Sequence, residues 1–245
     1  MLPLSQHIAK DGFRLRGTAM SRIDGFSDVV FGFAVTLLVV SLEVPRTFDE
    51  LYAALLGFLP FAACFFFLIL VWLAHFRFFR RYGMHDITTI WINCVLLFSV
   101  LFYVYPLKFL FSVATGDHIG PNVFSNPHQP AEMMTVYGIG FAAIYFCLSA
   151  LYFNAWRQRV ALALNPMEIA ITLTDGIDKF GDGCIGLLCA LIANLLPPGH
   201  AGDAGWFFFL IAIWSTANGF ISARYIRRAR ARTPHLDLLP FLHGN

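Results

Sequence analysis

The chain has 245 residues, of which 58% are hydrophobic, 16% aromatic and only 13% charged, with a net charge of +2. Soluble domains carry about 25% charge. Half that, with 27 Phe, excludes a disordered chain, a basic nucleic-acid-binding domain and a disulfide-stapled secreted module. An all-α integral membrane protein forming one bundle is the class that remains.

A charge near the bilayer centre costs about 2.5–3.5 kcal/mol, so charge-free runs mark candidate spans. In chain order, the first apolar run, Val29–Leu42, lies between Asp28 and Glu43 and is short for a lipid-exposed helix. Extended by a turn at each end, it predicts a span over roughly 25–44. Further spans are predicted at 51–74, 87–107, 133–156, 180–198 and 204–223, each near the 20 residues that cross about 30 Å as a helix. With six spans, 15 of the 17 Lys and Arg fall on the side of the two termini, and only Arg46 and Lys108 on the other. That partition places both termini in the cytoplasm, with residues 224–245 as a basic tail. Residues 1–24 do not read as a cleaved signal peptide.

The remaining stretches read as connectors. Asp117–Gln129 is expected as an external loop. Val160–Asp182, broken at Asn165-Pro166, is expected as an interfacial helix leading into the fifth span. Asp175, Asp178 and Asp182 sit at i, i+3 and i+7, and invite comparison with metal-dependent lipid transferases. Gly176, Gly181 and Gly183 argue against a stable helix there, so a solvated connector is the expectation. Cys64, Cys94, Cys147, Cys184 and Cys189 lack metal or redox spacing and are expected as buried packing residues. The eight His form no metal-binding pair. No cofactor and no enzymatic activity are expected.

The informative stretch runs from Ser21 to Leu42. Arg22, Ser27 and Asp28 sit at the cytoplasmic mouth of the first helix, where capping would account for an acid and a hydroxyl. By spacing, Asp28, Val29, Phe33, Thr36, Leu37 and Val40 are expected to share one helical face. Capping does not explain why this helix is short and charged at both ends.

The motif Arg22-x-x-x-Phe26-Ser27-Asp28, followed by Thr36-Leu37-Leu38, resembles the signature of the TMEM175 family of potassium channels. Trp72-x-x-His75, Asn93 and the six-span layout extend the likeness. The resemblance implies a K+-permeable cation channel in the plasma membrane, built as a homotetramer, with the first helix lining the pore. It implies K+ and other monovalent cations as passing partners, the lipid bilayer as surroundings, no nucleic acid, and no metal beyond transient K+. No T-V-G-Y-G segment is present, so carbonyl rings cannot supply selectivity. By the resemblance, Phe33, Leu37 and Val40 form the constriction, with Phe33 where the family usually has Ile or Leu. Thr36 is the polar pore-lining position, and Gly32 replaces a usual small Ala. Arg22, Phe26, Ser27, Asp28, Trp72, His75 and Asn93 are expected as a network that supports the pore helix.

A secondary transporter is the alternative. It would show inverted repeats or helices broken at mid-membrane, with ionisable groups inside. Pro60, Pro106 and Pro197 form no repeat pair, and Asn93, Asn154 and Asn218 are the amides available for solute.

Overall fold

The computed structural model of the chain describes residues 8–9, 11–40, 46–56, 58–115, 123–197 and 200–231. They are almost wholly helical: α1 (Arg22–Val40), a short α2 (Phe48–Leu56), α3 (Phe58–Tyr82), α4 (Ile87–Thr115), α5 (Gln129–Arg157), α6 (Pro166–Leu195), a 3-10 segment (Ala201–Phe209) and α7 (Leu210–Ala231). Among the described residues, four stretches are long and apolar enough to cross a membrane: α3, the Ile87–Leu110 part of α4, α5, and Ala201–Ala229. By composition, α1 and α6 fall outside that group, because α1 opens on Arg22, Asp24 and Asp28 while α6 carries four acids and Lys179. Glu43, at the far end of the first apolar run, lies outside the described residues.

The core joins α1, α3, α4, α5 and the start of α6 through buried Phe31, Leu38, Leu68, Phe78, Leu96, Ile144 and Leu151. One edge of this core, at the end of α3, is stapled by the segment preceding α1. Arg16 and Gly17 donate their backbone N–H groups to the carbonyls of Arg81 and Arg80, at 3.2 and 3.1 Å. These are terminal carbonyls of α3, which lack partners within their own helix. Gly83, at φ +58°, then turns the chain out of α3, as an achiral residue at that position can. Phe13 is fully buried and meets Tyr82 edge-on at 5.4 Å, and the Arg16 and Arg81 guanidiniums stand over its ring at 5.6 and 5.0 Å.

The stretch 160–182 meets expectation in part: a helix follows the break at Asn165-Pro166 and leads into the predicted fifth span, but its glycines and acids are no solvated connector. Pro166–Leu195 is one continuous helix of 30 residues, opened by a capping box between Asn165 and Glu168. Its glycines are contact points rather than breaks. A Cβ at Gly181 would collide with the Trp214 ring, one at Gly183 with Phe146, and one at Gly138 of α5 with the Gly186 carbonyl. Each glycine costs a helix about 1 kcal/mol relative to Ala. Here that loss is offset by neighbouring helices approaching to backbone distance, as small residues permit.

The acids of this helix are not solvated either. Asp175 accepts from Arg81, while Asp178 and Asp182 share Lys179 at 2.9 and 3.1 Å. Among the cysteines, Cys64 and Cys189 are buried as expected, but Cys94 and Cys184 are exposed on helix surfaces.

Candidate pore helix and its polar anchor

Helix α1 has two unlike faces. Ser27, Phe31, Ala34 and Leu38 are at most 4% exposed, and they pack on α3 and α4. Phe26, Val29, Phe33 and Leu37 are at least 55% exposed. Successive residues turn by roughly 100°, which sets these two i, i+3/i+4 rows on opposed sides of the cylinder. An apolar, half-bare row of this kind calls for lipid or a second protein surface to cover it. Thr36 is also exposed, and its hydroxyl donates to the Gly32 carbonyl at 2.9 Å. The donor is thereby used up locally, and the oxygen keeps lone pairs that can accept from a ligand or contact a cation. Val40 ends α1, and its side chain lies outside the described residues.

The buried face is anchored by a short polar chain. Ser27 Oγ donates to the Ile23 carbonyl at 2.7 Å and accepts from Asn93 Nδ2 at 2.9 Å. Asn93 Oδ1 lies 2.8 Å from His75 Nε2. Because the amide nitrogen is already the donor to Ser27, its oxygen must accept, so the proton sits on His75 Nε2. One amide from α4 therefore ties α1 to α3. Ser27, Asn93 and His75 are buried, and the imidazole lies between the rings of Phe31 and Phe79 at 5.5 and 4.6 Å. A buried polar chain with each member paired fixes register, since any slip leaves a donor or acceptor unmet.

A second tie lies beside the first. Trp72 Nε1 donates to Asp28 Oδ1 at 2.9 Å, again between α3 and α1. Asp28 is thus turned toward α3 and does not share the Val29, Phe33 and Leu37 face. It stands roughly 100° round from Val29, and a single-residue step cannot keep a face. Ser21 and Asp24 close the helix start: the Asp24 carboxylate accepts from the Ser21 amide and hydroxyl, while the Asp24 N–H donates back to Ser21 Oγ. That exchange is a capping box with an aspartate as its acid.

The predicted support residues therefore divide. Ser27, Asp28, Trp72, His75 and Asn93 come together at the α1–α3–α4 junction. Arg22 is exposed and forms an ion pair with neither Asp28 nor His75 among the described contacts. Phe26 belongs to the exposed row rather than to the anchor.

A further ring of contacts lies outside the motif. The buried Glu168 carboxylate accepts from the Arg14 amide at 2.9 Å, from Arg14 Nε and Nη2 at 3.1 and 3.0 Å, and from Arg16 Nη2 at 2.8 Å. It also accepts from the Asn165 amide at 3.0 Å. Burial pushes this carboxyl up, but the bonds from Arg14, Arg16, Asn165 and the Arg14 backbone outweigh it and hold the group at about 2. These contacts fasten the segment leading into α1 onto the start of α6. The signal in the sequence is Asn165-x-x-Glu168, a capping pattern whose acid can also face outward to a partner.

Comparison with known proteins agrees with this geometry. The family model described as the endosomal/lysosomal potassium channel TMEM175 matches residues 22–103, the stretch from α1 through most of α4. A Marivirga tractuosa protein named as a potassium channel is 35% identical over 231 residues, 88% of this chain and 93% of its own length. The chain belongs to the TMEM175 family. A potassium channel of Chamaesiphon minutus is 31% identical over 97 residues, 36% of this chain and 48% of that one. Among solved structures, a variant of the potassium channel MtTMEM175, crystallised with a nanobody fusion, superposes with a TM-score of 0.75 at 31% identity. That match covers 89% of this chain and 99% of the other. A homologue, from Chamaesiphon minutus, of the lysosomal potassium-selective channel TMEM175 gives a TM-score of 0.54 at 25% identity, over 80% and 96%. The family and the relatives matched here are membrane-spanning potassium channels, not enzymes.

Proposed function

We propose that four copies of the chain enclose a K+-permeable pore lined by the exposed face of α1. The observation that carries this reading is the division of that helix. One row is locked into its own subunit by packing and by the Ser27–Asn93–His75 chain, while Phe26, Val29, Phe33 and Leu37 are left bare. Four such rows meeting about an axis cover one another and leave a narrow apolar passage. In this arrangement Phe33, Leu37 and Val40 form the constriction, and ions cross it passively. Selectivity then follows from radius and dehydration, with no carbonyl ring involved. Four Phe33 rings close the path by dewetting or offer their π faces to a partly dehydrated cation. Thr36 supplies the one ring of hydroxyl oxygens. Ser27, Asp28, Trp72, His75 and Asn93 set the tilt of α1, as a supporting shell does for any functional group. All six long helices cross the plasma membrane in this reading, with both termini in the cytoplasm.

Purified protein reconstituted in liposomes tests the proposal. K+ should move down its gradient with no coupled ion, and Phe33→Ala should raise the unitary current or weaken K+ preference severalfold. A flux that needs a proton or sodium gradient would instead establish a secondary transporter. An unchanged current in Phe33→Ala would remove that residue from the constriction.

A further inference from the structure

Away from α1, the middle of α6 holds two carboxylates and one ammonium enclosed between α5 and α7. Lys179 Nζ reaches Asp178 Oδ2 at 2.9 Å and Asp182 Oδ2 at 3.1 Å. We propose that Asp182 holds a proton, making Asp178, Lys179 and Asp182 a one-proton binding site inside the α5–α6–α7 bundle.

Three observations lead there. The first is charge: two carboxylates face a single ammonium, leaving one negative charge without a counterpart. Among the described contacts, no other cation pairs with either acid. Arg81 is taken up by Asp11 and Asp175, and the arginines of α7 begin at Arg224, beyond Asn218 on the way to the helix end. The second is burial, since the Asp182 side chain is 2% exposed. The third is the difference in hydrogen bonding between the two acids. Asp178 accepts from Lys179 and from Asn218 Nδ2 at 3.2 Å, and its carbonyl accepts from Trp214 Nε1 at 3.1 Å. Asp182 receives only Lys179 on Oδ2, and its Oδ1 is buried with no hydrogen-bond partner.

An ionised carboxylate with one oxygen shut away from both water and donors is among the most costly groups a protein interior can hold. A proton on that acid cancels the excess charge without moving a helix. The groups facing Asp182 are few. Its own helix offers Asp178 and Lys179, with Asp175 about two turns below already paired to Arg81. From α5 the ionisable neighbour is Tyr145, whose ring lies 5.6 Å from Lys179 Nζ. From α7 come the neutral Trp214 and Asn218. At the far end, Asp203 of the 3-10 segment is exposed and paired with His200. The proton is thus governed by the triad alone.

The site carries a stability consequence with a definite sign. A carboxyl protonated in the fold but ionised when unfolded at neutral pH binds more protons in the native state, so stability falls as pH rises through its titration. Infrared spectroscopy of the purified protein in detergent, across a pH series, tests this. Wild type should display a protonated-carboxyl stretch near neutral pH that Asp182→Asn removes. Asp178→Asn should remove it too, because Lys179 then neutralises Asp182 by itself. Lys179→Met should strengthen the band, since both acids then need protons. Alongside, the wild-type melting temperature should drop by about 2–4 °C between about pH 5 and about pH 8, and that of Asp182→Asn should stay level. A band that survives both Asp variants, or its absence from wild type near neutral pH, would overturn the proposal. Should Asp182→Asn fail to fold, the Asp178→Asn and Lys179→Met pair decides it, as their bands move in opposite directions. None of these readouts depends on where the pore runs.

Discussion

Helices α1 and α6 solve opposite problems. The first keeps charge out of its interior, holds one face with a three-residue polar chain and leaves the other face bare. The second carries Glu168, Asp175, Asp178, Lys179 and Asp182 along its length and pairs each of them with a neighbouring residue. The contrast separates two ways of using a helix. The charges and close-packed glycines of α6 are spent within its own chain, on α3, α5, α7 and the N-terminal segment. α1 keeps a bare row, which the proposed tetramer would cover. Damage to α6 should therefore appear as lost stability, and damage to the bare row of α1 as altered permeation.

The comparison can be broken at several points. Glu168→Ala should be the most destabilising change, by about 3 kcal/mol. That is the low end for breaking a buried pair, because Arg14 is half-exposed and keeps its water. Chemical denaturation in detergent would read it, and a loss within error of zero would mean that the N-terminal segment is not fastened through this carboxylate. The same residue sharpens the point with pH. Its folded value of about 2 lies below its ordinary 4.5, so its contribution is complete above about 4.5 and vanishes as pH falls toward about 2. Glu168→Gln should flatten that acid limb of the stability profile.

Gly181→Ala comes next, at about 2 kcal/mol, since the added methyl must displace the Trp214 ring. Loss of Trp214 fluorescence anisotropy or a shifted emission maximum would report the displacement, whereas a neutral variant would show that α6 and α7 can separate freely. Asn93→Ala should lose about 1–2 kcal/mol by leaving Ser27 and His75 each short of a partner. Current recordings would then find α1 less well set, with a lower open fraction. An intact open fraction would reduce the anchor to a packing detail. Phe33→Ala should change stability least, by under about 0.5 kcal/mol as at other exposed positions, while changing permeation most. If instead it melts the protein, the bare row is covered by its own subunit and the two-helix contrast fails.

Much of this is legible in the amino-acid sequence. The run of charge-free segments marks the membrane class. Ser27, Asp28, Trp72, His75 and Asn93 can be named from the motif, because short-range spacing and a shared family pattern both point at them. Helical periodicity even locates the row Val29, Phe33 and Leu37. It errs at Asp28, where a one-residue step counts as sharing a face. Nor can it exclude Phe26 and Arg22 from the anchor. Spacing says which side chains are near one another along a helix, not which neighbour each one turns to.

The stretch 160–182 misleads for a related reason. Glycines and acids lower helix propensity locally, and that local preference outweighs the helix start that Asn165-x-x-Glu168 signals. In the fold, Gly181 and Gly183 give room to Trp214 and Phe146, and the acids find Arg81 and Lys179, so packing and pairing reverse the local preference. Sequence by itself determined what must avoid water and which residues carry the family's motif, because hydrophobicity and spacing are properties of the chain. Only the tertiary structure decided which face of α1 is committed, why α6 tolerates its glycines, and which carboxylate oxygen of Asp182 lacks a partner. Those depend on distances between segments far apart in sequence, such as Arg14 and Glu168, that no local pattern encodes.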